Sequence, residues 1–321
     1  MDRNLGLEFV RVTEAASLST AQWVGKGDRH AADQAACDAM RNALNQLDLH
    51  IRVVIGEGER DEAPMLYIGE ELGNSIGQGN RVDIAVDPLE GTNLCANGVE
   101  NAISVIAAAI DGDGYLMHAP DCYMDKLVVG EVAKGAIDIS LPPEANLRAI
   151  AKCSGKRIEE LTVGILDRPR HEKLIAAIRR AGARIRLVTD GDITLAIATI
   201  DESTGIDALM GIGGAPEGVI TAAAVRAYGG DMQARLVFRH DDERARAERM
   251  VGGDLERILT AEELAGGNVI FAATGITTGD LLKGVRYTRD GAVTESIVMR
   301  SQSGTVRRIL TRHKFEFEPQ Y

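Results

Sequence analysis

Carboxylates interleaved with glycine recur at four places in the chain: Gly56-Glu57-Gly58-Glu59-Arg60-Asp61-Glu62, Asp87-Pro88-Leu89-Glu90-Gly91-Thr92, Asp190-Gly191-Asp192 and Gly213-Gly214-Ala215-Pro216-Glu217-Gly218. Carboxylate oxygens are the hard ligands that magnesium and manganese prefer, and glycine lets backbone approach an ion or a phosphate with no Cβ in the way. The implied chemistry is an all-oxygen divalent-metal site facing an anionic substrate. Acidic residues beside glycine also form solvated turns, so each cluster has a plainer reading. Asp111-Gly112-Asp113-Gly114, between two strands, is read as a turn. Asp190-Gly191-Asp192 alone reads as a helix cap, because an apolar helical segment follows Asp192. The second cluster is more specific. A strand-end Asp87, a turn fixed by Pro88, an acid at Glu90 and a hydroxyl at Thr92 beyond Gly91 can present two carboxylates and a hydroxyl to one point.

These residues need elements to hold them. Apolar residues at helical spacing over 5–24 and again over 28–47 predict two opening helices. The β-branched run 51–55 halts at Gly56 and is followed by a predicted helix over 63–72, with Pro64 in its first turn. A strand over 81–86 ends at Asp87-Pro88, so the carboxylates stand at strand ends where loops can present them. Residues 102–130 are strand-rich, and a helix is expected after Glu144. From 161 to 228 strands and helices alternate, which predicts a mostly parallel sheet with helical crossovers. The tail from 269 to 317 returns to short strands around Gly275, Asp290-Gly291 and Gly304, expected to pair antiparallel.

A chain of 321 residues exceeds what one hydrophobic core usually serves, so two lobes are expected, 1–160 and 161–321. A net charge of −12 argues against nucleic acid or an anionic membrane as partner, since both require a basic face. No apolar run is long enough to span a bilayer, and the first residues lack a secretory pattern, so a cytoplasmic protein is expected. Cys37, Cys95, Cys122 and Cys153 form no CxxC pair and read as buried free thiols. The six histidines show no metal-binding spacing and default to structural or surface roles.

The segment Asp87 to Thr92 resembles the metal-binding motif of the magnesium-dependent, lithium-sensitive phosphatases, and Glu at position 90 matches the class II, GlpX-like fructose-1,6-bisphosphatases. The resemblance extends in order through Gly25-Lys26-Gly27-Asp28, Ala32-Asp33, Ile55 to Glu59, Asp61 to Glu70, Ala119-Pro120-Asp121, Tyr123-Met124, Arg168 to His171, Gly211 to Gly218 and Ala273 to Thr277. It implies an α/β fold, a layered α-β-α-β-α sugar-phosphatase sandwich with two sheets, with metal binding in the first lobe and sugar-phosphate binding in the second. The implied activity is metal-dependent hydrolysis of the 1-phosphate of fructose 1,6-bisphosphate, in gluconeogenesis or Calvin-cycle carbon metabolism, with Mn2+ or Mg2+ as cofactor.

By the same resemblance the metal ligands fall on Asp33, Glu57, Asp87, Glu90 and Glu217. Sugar-phosphate contacts fall on Arg29, Glu90, Gly91, Thr92, Tyr123, Arg168, Pro169, Arg170, Asp190, Gly191, Asp192 and Gly214. Thr92 would hydrogen-bond the attacking water, with Asp61 orienting it and Glu59 a further catalytic candidate. Arg29 stands where lysine is expected, which keeps charge but changes hydrogen-bond geometry, and the connection from His240 to Glu262 is short. A homo-oligomer, dimer or tetramer, is expected. From the residues alone, Arg168 and Arg170 suit a phosphate or an exposed helix start, and Tyr123 suits packing.

Two readings from other classes stay beside this one. Gly211-Ile212-Gly213-Gly214 after a strand could be a dinucleotide turn, although Pro216 replaces the third glycine and no acid closes a following strand. A non-catalytic sugar-phosphate sensor would keep the pockets but has no need of Thr92. Within enzymology, sedoheptulose 1,7-bisphosphate is a second candidate substrate.

Overall fold

The protein is described from a computed structural model, which describes residues 4–58 and 65–315. The chain opens with α1 (Leu5–Ala21), α2 (Arg29–Asn45), β1 (His50–Ile55), β2 (Glu71–Leu72), β3 (Arg81–Glu90), α3 (Thr92–Asn97) and β4 (Ile103–Leu116). It continues through β5 (Tyr123–Val129), α4 (Pro143–Ser154), β6 (Thr162–Leu166), α5 (Glu172–Ala181), β7 (Arg184–Val188), α6 (Asp192–Ile200), β8 (Ala208–Gly214) and α7 (Ala215–Tyr228). Next come β9 (Asp231–Val237), α8 (Asp241–Met250), β10 (Leu259–Thr260) and α9 (Ala261–Leu264), and the chain ends in β11 (Ala265–Gly275), β12 (Arg286–Thr288), β13 (Gly291–Arg300) and β14 (Thr305–Lys314). This is the expected α/β fold with two sheets. Among the described residues no helix is long and apolar enough to cross a membrane.

The contacts group into two units, Met1–Leu116 with Gly267–Tyr321, and Met117–Gly266. That grouping differs from a division at residue 160, because the closing strands return to the sheet begun by the first ones. In the first unit an eight-stranded sheet runs β12-β13-β11-β4-β3-β1-β2, with β14 also paired to β13. β1 and β3 are parallel, and the closing strands pair antiparallel as expected. The stripe of Phe9, Val12 and Ala16 on α1 and of Met40 and Leu44 on α2 buries against Ile51, Ile84 and Ile106 of the sheet. A polar seam crosses the same core: Thr13 meets Thr274 at 2.7 Å, and Thr274 meets Ser296 at 2.8 Å.

Two expectations fail in this unit. Residues 65–72 contain no helix but turns leading into β2, and residues 63 and 64 lie outside the described ones. Leu66 is drawn into the core at φ 53°, and its N–H donates to Glu70 Oε2, so tertiary burial overrides local helical spacing. Asp111-Gly112-Asp113-Gly114 is not a turn but continues β4, and Asn268 of β11 donates to Asp113 at 2.7 Å.

In the second unit the strand order is β10-β9-β5-β8-β6-β7. β6 is parallel to β7 and β8, whereas β5 is antiparallel to both β8 and β9. The sheet is therefore mixed rather than mostly parallel. The crossovers through α5, α6 and α7 do run the strands one way, but β5, from earlier in the chain, inserts between β8 and β9 in the opposite sense. Leu127, Val129, Leu147, Val163, Ile165 and Ile178 fill the core on one face.

Candidate active site

In the first unit, Asp28 caps α2 by accepting from the Ala31 N–H at 3.0 Å, which fixes the turn carrying Arg29 and Asp33. Arg29 is exposed there. Asp33 and Cys37, one turn apart, share a helix face. β1 delivers Gly56 and Glu57 to the same place. A Cβ on Gly56 would stand 1.9 Å from the Leu66 carbonyl oxygen, so only glycine admits the Leu66 backbone, which accepts from the Glu57 N–H at 3.0 Å. Ligand atoms of Asp33, Cys37 and Glu57 all lie within 4.8 Å of one another. Burial pushes the Asp33 carboxyl above its ordinary value, with His30 opposing. The Cys37 thiol is pushed up by burial and then by the charges of Glu57, Asp33 and Asp87, so it stays protonated among the carboxylates.

Asp87 and Glu90 belong to the end of β3 itself rather than to a following loop. Asp87 lies opposite Val105 and Glu90 opposite Ile103, so Pro88-Leu89 insert one extra residue against β4. Such a bulge bends the strand and re-aims side chains. The Leu89 N–H donates to Asp87 Oδ1 at 3.1 Å, and Glu90 is buried. Gly91 then adopts φ 84°, a left-handed conformation in which a Cβ would also press on Leu94 at 2.9 Å, and Thr92 starts α3. Gly91, not Thr92, occupies the cap position. The Thr92 hydroxyl donates to the Leu89 carbonyl at 3.2 Å, which leaves its oxygen lone pairs as acceptors. Asp61 and Glu59 lie outside the described residues.

In the second unit the row Val237, Tyr123, Gly214 runs across β9, β5 and β8. Arg168 leads into a 3-10 turn, Pro169–His171, ahead of α5. His171 is buried: its Nδ1 meets the Leu166 carbonyl at 2.7 Å, and its Nε2 accepts from the Ile212 N–H at 2.8 Å. The ring is thus neutral with the proton on Nδ1, and burial lowers its pKa. His171 ties the arginine turn to β8. Arg170 donates to the Ile212 carbonyl through Nε at 3.1 Å and Nη2 at 2.8 Å, and its guanidinium lies 4.7 Å from the Tyr123 ring centre.

Asp190 follows β7, half-buried, and Gly191 at φ 85° opens α6 without a side-chain cap. Asp192 is buried, and Lys126, itself 2% exposed, donates to its carboxylate and to the Gly214 carbonyl at 3.1 Å. A Cβ on Gly213 would stand 1.9 Å from Asp192 Oδ2, and one on Gly214 1.8 Å from Glu217 Oε2. The glycines of this turn are filled by this chain's own carboxylates, which leaves no place for a dinucleotide pyrophosphate. Glu217, on the first turn of α7, is partly exposed as a residue, yet its Oε2 is buried with no hydrogen-bond partner among the described residues. Burial and then Asp192 push its carboxyl up, against the opposing pull of Lys126. A buried carboxylate oxygen in that condition suits a cation.

Sequence reasoning missed Lys126, His171 and Cys37 as parts of these sites. A lysine within a strand reads as a solvated edge, and only the packing of α6 and β8 buries it.

A group of hard oxygen donors at a bulged strand end, with a hydroxyl oxygen able to accept, is equipment for hydrolysing phosphoric monoesters with a metal ion. The comparisons with known proteins narrow that class. The family model of the bacterial, glpX-encoded fructose-1,6-bisphosphatases matches residues 3–313, and the chain belongs to that family of metal-dependent phosphatases. It is 49% identical, over 98% of its length and 96% of the relative's, to a D-fructose 1,6-bisphosphatase class 2/sedoheptulose 1,7-bisphosphatase of Synechococcus sp. (strain JA-2-3B'a(2-13)). A protein of the same name from Trichodesmium erythraeum (strain IMS101) is 46% identical over 98% of this chain and 97% of its own. A solved extragenic suppressor from Pyrococcus furiosus aligns at a TM-score of 0.29 and 14% identity over 58% of this chain and 66% of that one, and carries no argument.

Proposed function

We propose that this chain hydrolyses the 1-phosphate of D-fructose 1,6-bisphosphate, with Asp33, Glu57, Asp87 and Glu90 of the first unit as ligands of its metal centre, and with Glu217 of the second unit as a cation ligand in its own right. The observation that supports it most is the gathering of Asp33, Glu57 and Cys37 ligand atoms within 4.8 Å, beside the bulge that carries Asp87 and Glu90. Carboxylates packed so closely repel one another unless a cation joins them. Manganese or magnesium held there would supply charge neutralisation at the phosphoryl group and a more acidic water.

The chain's own residues do the rest. The Thr92 proton is engaged by the Leu89 carbonyl, so its oxygen accepts a hydrogen from the attacking water and turns that water's lone pair toward phosphorus. Asp61 and Glu59 share the proposed catalytic role. Arg168, Arg170 and Tyr123 hold the phosphate that is not cleaved, since guanidinium forks bind phosphate bidentately. Asp190, Gly191 and Gly214 place the sugar, and Lys126 locks Asp192 so that this turn keeps its shape. Fixing the sugar restricts the orientations its phosphoryl groups can take.

The relatives' names favour a second reading, cleavage of sedoheptulose 1,7-bisphosphate as well. Phosphate release from both sugar bisphosphates, after chelation and on return of manganese or magnesium, tests the two together. No release from either substrate with any metal would remove the proposal, and release from fructose 1,6-bisphosphate alone would remove the dual reading.

A further inference from the structure

Arg239, two residues beyond the end of β9, has a place in the second unit that the site as described leaves unused. Its guanidinium lies 4.7 Å from the Tyr123 ring centre, the same distance as that of Arg170. Two cations on one tyrosine are no further apart than twice that distance, and they repel unless an anion joins them. Arg170 is satisfied through a neutral carbonyl, that of Ile212. Arg239 is held by Glu243, which is 3% exposed: one carboxylate oxygen takes its Nε and Nη2, and the other accepts from its backbone N–H at 2.7 Å. Against the two guanidiniums stands one buried carboxylate, that of Glu243, which is paired with Arg239, with Asp121 as a second, weaker acidic influence on Arg239.

The Nη1 edge of Arg239 takes no part in that ion pair, and the side chain is 46% exposed. A guanidinium clamped on one edge and stacked on a ring is set before any ligand arrives, which lowers the cost of binding. We propose that Arg239 is a further substrate-binding residue, which with Arg170 and Tyr123 forms a two-guanidinium cradle for the phosphate monoester that is not cleaved. This rests on the assignment of Tyr123, Arg168 and Arg170 to that phosphate. A phosphate dianion carries the charge and the paired oxygens that two such forks match.

The alternative is that Arg239 only staples α8 to the sheet through Glu243. Arg239→Gln removes the cation, and Arg239→Lys keeps a charge for Glu243 while losing the planar fork. Each is compared with wild type and with Arg170→Gln by calorimetry with fructose 6-phosphate below the onset of unfolding, and by KM and kcat for fructose 1,6-bisphosphate. For Arg239→Gln we expect affinity for fructose 6-phosphate to fall and KM to rise about tenfold or more, with kcat within about threefold, the pattern of lost uniform binding. If Arg170→Gln weakens binding and Arg239→Gln does not, the cradle is overturned and the subsite stands. If neither weakens it, the subsite reading fails and this proposal with it. Should Arg239→Gln not fold, unchanged fructose 6-phosphate affinity in Arg239→Lys overturns the proposal.

Discussion

In the proposed mechanism Thr92 acts through what its hydroxyl has already given away. Because Leu89 takes the proton, the oxygen can serve an incoming water only as acceptor, and because Gly91 holds the cap position, α3 does not depend on the hydroxyl. Thr92→Ala should therefore lower kcat by at least about 10²-fold, the scale of positioned proton-transfer groups. Melting temperature and fructose 6-phosphate affinity should hold. A near-normal kcat would return Thr92 to a packing role. Lys126 makes the opposite case. It and Asp192 are both buried, and removing one partner strands the other's charge. Lys126→Met should destabilise by about 3–5 kcal/mol, as broken buried pairs do. Adding Asp192→Asn should restore part of the loss, and denaturant unfolding of the two single variants and the double one would measure the coupling. Additive losses would show that the pair is not a unit.

At the scale of elements, the alternation of strands and helices from β6 to α7 was legible because apolar spacing switches period cleanly there, although β8 and α7 meet at Gly214-Ala215 with no loop between them. What failed was whatever depends on a distant partner. Asp111 to Gly114 has the composition of a turn, yet β4 runs through it because β11 lies alongside. The carboxylates proposed as metal ligands came from motif resemblance, but the bulge at Pro88-Leu89 needed β4 to reveal it. Nothing in the sequence marks His171 as the tie between the arginine turn and β8, since one bond is to Leu166 and the other to Ile212, 41 residues away. That tie has a pH signature. Burial holds the His171 pKa below its ordinary 6.5, so on acidification the unfolded chain takes up a proton that the folded ring refuses. The stability from this group is complete above about 6.5 and is lost as pH falls toward the folded value. Burial drives His313 in the same direction, against the pull of Glu14. Melting temperature should decline from pH 7 to 5, and His171→Asn should flatten the decline without abolishing it. An unchanged slope in that variant would mean that His171 does not carry the effect.

For the whole molecule the governing fact is charge. A chain with a net −12 that must accept a bisphosphate cannot do so by its overall field, so the attraction has to be local. In the proposed arrangement arginines serve one phosphate, and the acid-rich centre serves the other only when it holds a cation. The donor set decides which cation. Every proposed ligand atom is oxygen, and the one sulfur nearby, on Cys37, is kept protonated by burial and its acidic neighbours, so it is poorly offered to a metal. Chelation should abolish phosphate release, and manganese or magnesium should restore it better than zinc. The same ions should raise the melting temperature without substrate, since binding to the folded state alone stabilises it by about 2.7 kcal/mol at a hundredfold excess over Kd. Asp33→Asn withdraws a charged ligand while keeping the shape of the side chain, so it should weaken the manganese-dependent rise in melting temperature together with activity. Turnover that survives exhaustive chelation would overturn the metal centre. A thermal shift that survives Asp33→Asn unchanged would move the ion away from α2.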